Sequence, residues 1–95
     1  MPSGGDVLAP TPRTITVECR FFARYAQALG RDALTLELPA SATVADAVRE
    51  LRRALPAAGV LPERPLAAVN REHASLDGRL AHGDELAFLP PLAGG

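Results

Sequence analysis

The side chains that most often carry catalysis are scarce here: two histidines, His73 and His82, and one cysteine, Cys19. A zinc site takes three or four convergent ligands. One cysteine and two histidines with no paired spacing predict no metal site. A Cys–His nucleophile is equally unsupported, because Cys19 falls on the inward phase of an alternating run, where a thiol is a small buried hydrophobe. The carboxylates are scattered over positions expected to face water, and no glycine-rich phosphate loop opens a helix. The side chains therefore predict no self-contained active site.

The last residues are different. The sequence ends Leu89-Pro90-Pro91-Leu92-Ala93-Gly94-Gly95. Two prolines stiffen the exit toward an extended, polyproline-like path. Six residues beyond Leu89 can reach roughly 20 Å when extended. A glycine pair enters a channel too narrow for any Cβ and takes up any backbone angle. The group presented at the tip is the Gly95 carboxylate, a poor acyl donor until a partner converts it to a mixed anhydride. It then acylates sulfur or nitrogen. A bare Gly-Gly also fits a loose end; the proline pair and the strand before it favour the probe.

Behind that tip the elements follow from apolar spacing. Ile15, Val17, Cys19 and Phe21 alternate with Thr16, Glu18 and Arg20 from Thr14 onward, predicting a strand. Ala23 to Leu29 reads as a short helical turn stopped by Gly30. Leu34, Leu36 and Leu38 predict a second inward-facing strand, ended by Pro39. Thr43 and Asp46 mark a helix start. Val44, Ala47, Val48, Leu51 and Leu55 form its apolar stripe, with Arg49, Glu50, Arg52 and Arg53 toward solvent. Pro56 and Gly59 close it, and residues 57–65 read as a loop. Leu66 to Asn70 reads as a buried strand, Leu76 to Leu80 as a turn between short extended pieces, and Glu85 to Leu89 as the last strand. Both histidines fall in predicted turns.

The chain's 95 residues make one domain. The expected divisions are a disordered leader over 1–13, the folded domain over 14–89 and a flexible diglycine tail over 90–95. A formal net charge of -1 gives no electrostatic case for nucleic acid. No apolar run approaches the roughly 18 residues of a membrane helix, and no signal peptide is predicted. A lone cysteine fits a reducing, cytoplasmic setting. All ten basic residues are arginine, a bias that codon usage accounts for. Without lysine, no side chain here accepts an isopeptide bond.

The runs Leu66-Ala67-Ala68-Val69-Asn70 and Gly83-Asp84-Glu85-Leu86-Ala87-Phe88-Leu89-Pro90-Pro91-Leu92-Ala93-Gly94-Gly95, with Phe21-Phe22-Ala23 after the first strand, resemble the MoaD/ThiS group of ubiquitin-like sulfur carriers. Within it they look most like the MoaD-type small subunits of molybdopterin synthase. The resemblance covers about Ile15 to Gly95, and the proline pair is its discriminating piece. It implies an α+β fold, the ubiquitin-like β-grasp, with a mixed sheet packed on one main helix. It further implies that an E1-like adenylyltransferase uses ATP to adenylate Gly95. A sulfurtransferase or cysteine desulfurase would then supply the sulfur of a thiocarboxylate. Pro90, Pro91, Leu92, Ala93 and Gly94 would insert into the large catalytic subunit of a heterotetramer, where Gly95 delivers sulfur to cyclic pyranopterin monophosphate. On this resemblance the chain binds no cofactor itself and is the non-catalytic, sulfur-donating subunit. Two features depart from the family pattern: Leu89 stands where a second phenylalanine is frequent, and the leader is long. Carriers for thiamine or cysteine biosynthesis, and ubiquitin-like protein modifiers, remain alternatives.

Phe22 and Leu89 fall on the outward phase, opposite Phe21 and Phe88. Grouped near the tail's exit they predict an apolar docking patch. The competing expectation is that the loop around Leu61 covers that face.

Overall fold

The computed structural model describes residues 13–91. Most of the leader and Leu92, Ala93, Gly94 and Gly95 lie outside the described residues. Strand β1 (Thr14–Phe21) forms where period-two spacing gives one apolar edge. Its Ile15, Val17, Cys19 and Phe21 are buried while Thr14, Thr16 and Glu18 are exposed. Helix α1 (Ala23–Leu29) buries Tyr25 and Leu29 and stops at Gly30. That glycine has φ 73°, the left-handed conformation that ends a helix without a Cβ clash, and its N–H donates to the Ala26 carbonyl at 3.0 Å. Strand β2 (Ala33–Pro39) returns antiparallel to β1, with Val17 opposite Leu36 and Ile15 opposite Leu38.

Helix α2 (Val44–Ala54) opens on a capping box: the Asp46 N–H donates to Thr43 Oγ1 at 3.3 Å, and the Thr43 N–H donates to Asp46 Oδ2 at 2.9 Å. The hydrogen bond from the Thr43 backbone holds the Asp46 carboxyl below the usual range. Val44, Ala47, Val48 and Leu51 of this helix are buried against the sheet. Each of the larger ones contributes about 1.5–3 kcal/mol. Leu55 and Leu34, both read as inward-facing, are only partly buried at the edge of this core.

Two local readings are corrected. The segment read as a loop contains a 3-10 helix (Pro56–Val60), because Pro56 is pre-set for a first helical turn. Arg52, assigned to the solvent side, donates through Nη2 to the carbonyls of Leu61 at 3.1 Å and Pro62 at 2.6 Å. Those bonds fasten the segment to α2.

The last strands are β3 (Leu66–Val69), β4 (Glu72–Ala74) and β5 (Glu85–Leu89). His73 thus lies on a strand opposite Ala68 rather than in a turn. The sheet order is β2-β1-β5-β3-β4. Strand β5 runs parallel to β1 at the centre, and the other pairings are antiparallel, so the sheet is mixed. Phe21 and Phe88 are register partners with ring centroids 6.2 Å apart, stacked in the core. The fold is the α+β β-grasp architecture: one five-stranded sheet with its helices on one face. One cost is visible: the Tyr25 hydroxyl is buried without a hydrogen-bond partner among the described residues, worth about 1–3 kcal/mol.

Candidate functional site

Cys19 is fully buried. Loss of hydration, with the Glu18 charge second, pushes its thiol up to about 12. It is a core residue and holds no thiolate at neutral pH. His82 is committed to structure, its Nδ1 accepting the Thr16 N–H at 3.0 Å. Among the described residues no group of three or more His, Cys, Asp or Glu is placed to hold a metal ion.

The features that converge do so on the sheet face away from the helices. Arg20 from β1, Phe22 just after it, Ala87 and Leu89 from β5, and Ala68 from β3 line a groove of about 440 Å³, with Glu85, Arg71 and His73. Phe22 is 42% exposed although large and apolar. Leu89 is half-buried beside it. Leu61 is buried among the residues on the helix side, so the loop expected to cover the outer face instead fills the core.

The structure adds Leu66 to this patch. The apolar run around it predicts burial, yet it is 48% exposed. Its register partner is Leu89, and directly opposed residues in an antiparallel pair share a face. The run Leu66-Ala67-Ala68-Val69 has no polar alternation to reveal its phase. The pairing of Ala67 with Phe88 sets it.

The far end of β5 is clamped. Asn70 Oδ1 accepts the Glu85 N–H at 3.0 Å, its Nδ2 donates to Asp84 Oδ1 at 3.0 Å, and its own N–H donates to the Glu85 carbonyl at 2.8 Å. Asp84 Oδ2 in turn accepts the Ala81 N–H at 2.8 Å. Asn70 holds φ 52°, a left-handed angle asparagine tolerates better than most residues. These bonds fix where β5 starts, and hence where Leu89, half-buried Pro90 and exposed Pro91 send the chain. The tail residues Leu92, Ala93, Gly94 and Gly95 continue beyond the described residues. What the arrangement can do chemically is hold: it offers a sheet, an apolar patch and an exit strand.

The model of the ThiS family matches residues 19–95. A molybdopterin synthase sulfur carrier subunit from Escherichia coli is 35% identical over 82 residues, spanning 83% of this chain and 99% of the relative. The protein of that name from Dictyostelium discoideum is 32% identical over 77 residues, spanning 78% and 90%. Among solved structures, that of SAMP1 from Haloferax volcanii, a small archaeal modifier protein, superposes with a TM-score of 0.73 at 34% identity, covering 84% of this chain and 99% of the other.

Proposed function

The chain belongs to the ThiS family, and on that premise we propose that it is the sulfur carrier subunit of a molybdopterin synthase. The observation that carries this reading is the convergence of Phe22, Leu66 and Leu89 around the end of the strand that leads to Pro90-Pro91 and the diglycine. The family match runs to residue 95, and the named relatives support the choice of customer.

In the proposed cycle the Gly95 carboxylate attacks the α-phosphorus of ATP on an E1-like adenylyltransferase, and pyrophosphate leaves. A persulfide on a sulfur donor, charged by a cysteine desulfurase or sulfurtransferase, attacks the acyl carbon and displaces AMP. A second thiol then cleaves the resulting acyl disulfide, releasing the Gly95 thiocarboxylate and leaving the donor sulfur in a disulfide. The patch then docks on the large subunit, and Pro90 to Gly94 guide Gly95 into its pocket. The thiocarboxylate sulfur bonds to a carbon of cyclic pyranopterin monophosphate, displacing an oxygen substituent. Water then cleaves the acyl–sulfur bond, leaving the sulfur on the pterin and regenerating the Gly95 carboxylate. A dithiolene needs two sulfurs, so two loaded carriers are consumed, which suits a heterotetramer. This chain binds no cofactor; ATP and the catalytic side chains belong to its partners. The cytoplasm supplies the ATP and cysteine that the cycle requires, and no helix among the described residues is long and apolar enough to cross a membrane.

A second reading has one observation in its favour, the likeness to a modifier protein. The same adenylate acylates a target lysine if an amine replaces the sulfur nucleophile. Deleting the gene separates the two. The carrier reading predicts loss of molybdoenzyme activity, restored by the wild-type chain and not by one lacking Gly95. Retained molybdoenzyme activity with a thiamine or cysteine requirement, or with lost protein conjugates, would overturn it.

A further inference from the structure

The hairpin joining β3 to β4 turns through Asn70 and Arg71, with φ of 52° and 74°. A two-residue turn of this kind favours glycine at its second position. Arg71 occupies that position at a steric cost, and among the described residues it has no hydrogen-bond or ion-pair partner to offset it. It lines the groove beside the apolar patch. Across the groove, Arg20 has Glu85 at 3.6 Å, beyond hydrogen-bond length, and its Nε is buried with no partner among the described residues. The lining sets two arginines against one glutamate. The groove is therefore cationic in a chain whose formal net charge is -1.

We infer that this groove selects a protein partner that lays a carboxylate between Arg20 and Arg71 while an apolar side chain beside it seats against Phe22 and Leu89. The inference rests on the docking reading above and adds the chemistry of what docks. A guanidinium offers a planar fork that matches a carboxylate two bonds at a time. Arg20 is free to exchange its long contact with Glu85 for such a pair. The strain at Arg71 is offset only in the complex, where its charge is used.

Arg71→Gly removes strain and cation together, so stability and affinity move in opposite directions, which a purely structural arginine would not do. The unfolding midpoint rises by roughly 4 °C or more. Affinity for the large subunit of molybdopterin synthase, for the E1-like adenylyltransferase, or for both falls about tenfold at low salt, and the difference shrinks at high salt. Arg20→Gln lowers affinity in the same way without touching the turn. The inference is overturned if both variants bind both proteins as tightly as the wild type. If the wild-type chain binds neither protein, the proposed function falls as well, a result distinct from the first.

Discussion

Deletion of Gly95 is expected to abolish sulfur transfer while the domain stays folded. The proposed chemistry uses one group of this chain, the terminal carboxylate. Removing one residue withdraws that group by roughly 3.5 Å along an extended tail. Misplacement by about 1 Å already costs on the order of 100-fold in rate, so activity in a reconstituted system should fall to background. The unfolding midpoint should not move, because the sheet register ends at the Leu66–Leu89 pair. Cys19→Ala is the matched control: its thiol is buried and protonated, so a folded variant keeps full transfer. Normal transfer by the truncated chain would contradict the mechanism. Loss of transfer in a folded Cys19→Ala protein would move sulfur handling onto the thiol.

Aspartate at the patch is the second large effect. Phe22 and Leu89 line the groove on the sheet's outer face, so Phe22→Asp and Leu89→Asp leave the Phe21–Phe88 core intact. Each replaces an interface anchor by a charge, and losing an anchor costs about 2 kcal/mol or more. That is roughly 30-fold in Kd. If, as proposed, the large subunit and the adenylyltransferase bind this one patch in turn, both should lose affinity. Leu66→Asp should behave alike. Folded variants with unchanged affinity for both proteins would remove the patch from docking. Variants that fail to fold would make these residues core.

The parts of the fold legible from sequence are those where one surface faces water. Strand β1 shows it in strict alternation, and α2 in its stripe and its Thr43–Asp46 cap. The inward Phe21 and Phe88 and the outward Phe22 follow from the same period, whereas the stacking of the two inward rings is set by the β1–β5 register. Legibility ends where apolar residues run without a break. Leu66-Ala67-Ala68-Val69 carries no phase of its own, so the outward position of Leu66 is set by pairing with β5. The hairpin after it is hidden for a related reason. Its second turn position holds Arg71 rather than the glycine that marks such turns, and the three-residue β4, with His73, read as turn. Arg52 looks solvated by helical spacing, yet carbonyls nine and ten residues away take its guanidinium. At the site, the reading of the diglycine rests on its residue types together with the proline pair and strand before it, and the diglycine itself lies outside the described residues. The cationic groove was not legible, because Arg20 and Arg71 meet only through the strand order β1-β5-β3.

The most direct test of the carrier reading is the intact mass of the chain after incubation with ATP, the E1-like adenylyltransferase and a sulfur donor, with fragmentation to locate any change. The account predicts a gain equal to replacing one oxygen by sulfur, confined to Gly95, dependent on ATP, and lost again when the large subunit and cyclic pyranopterin monophosphate are added. An unchanged mass under conditions that load a known carrier, or a gain located on Cys19, would contradict it.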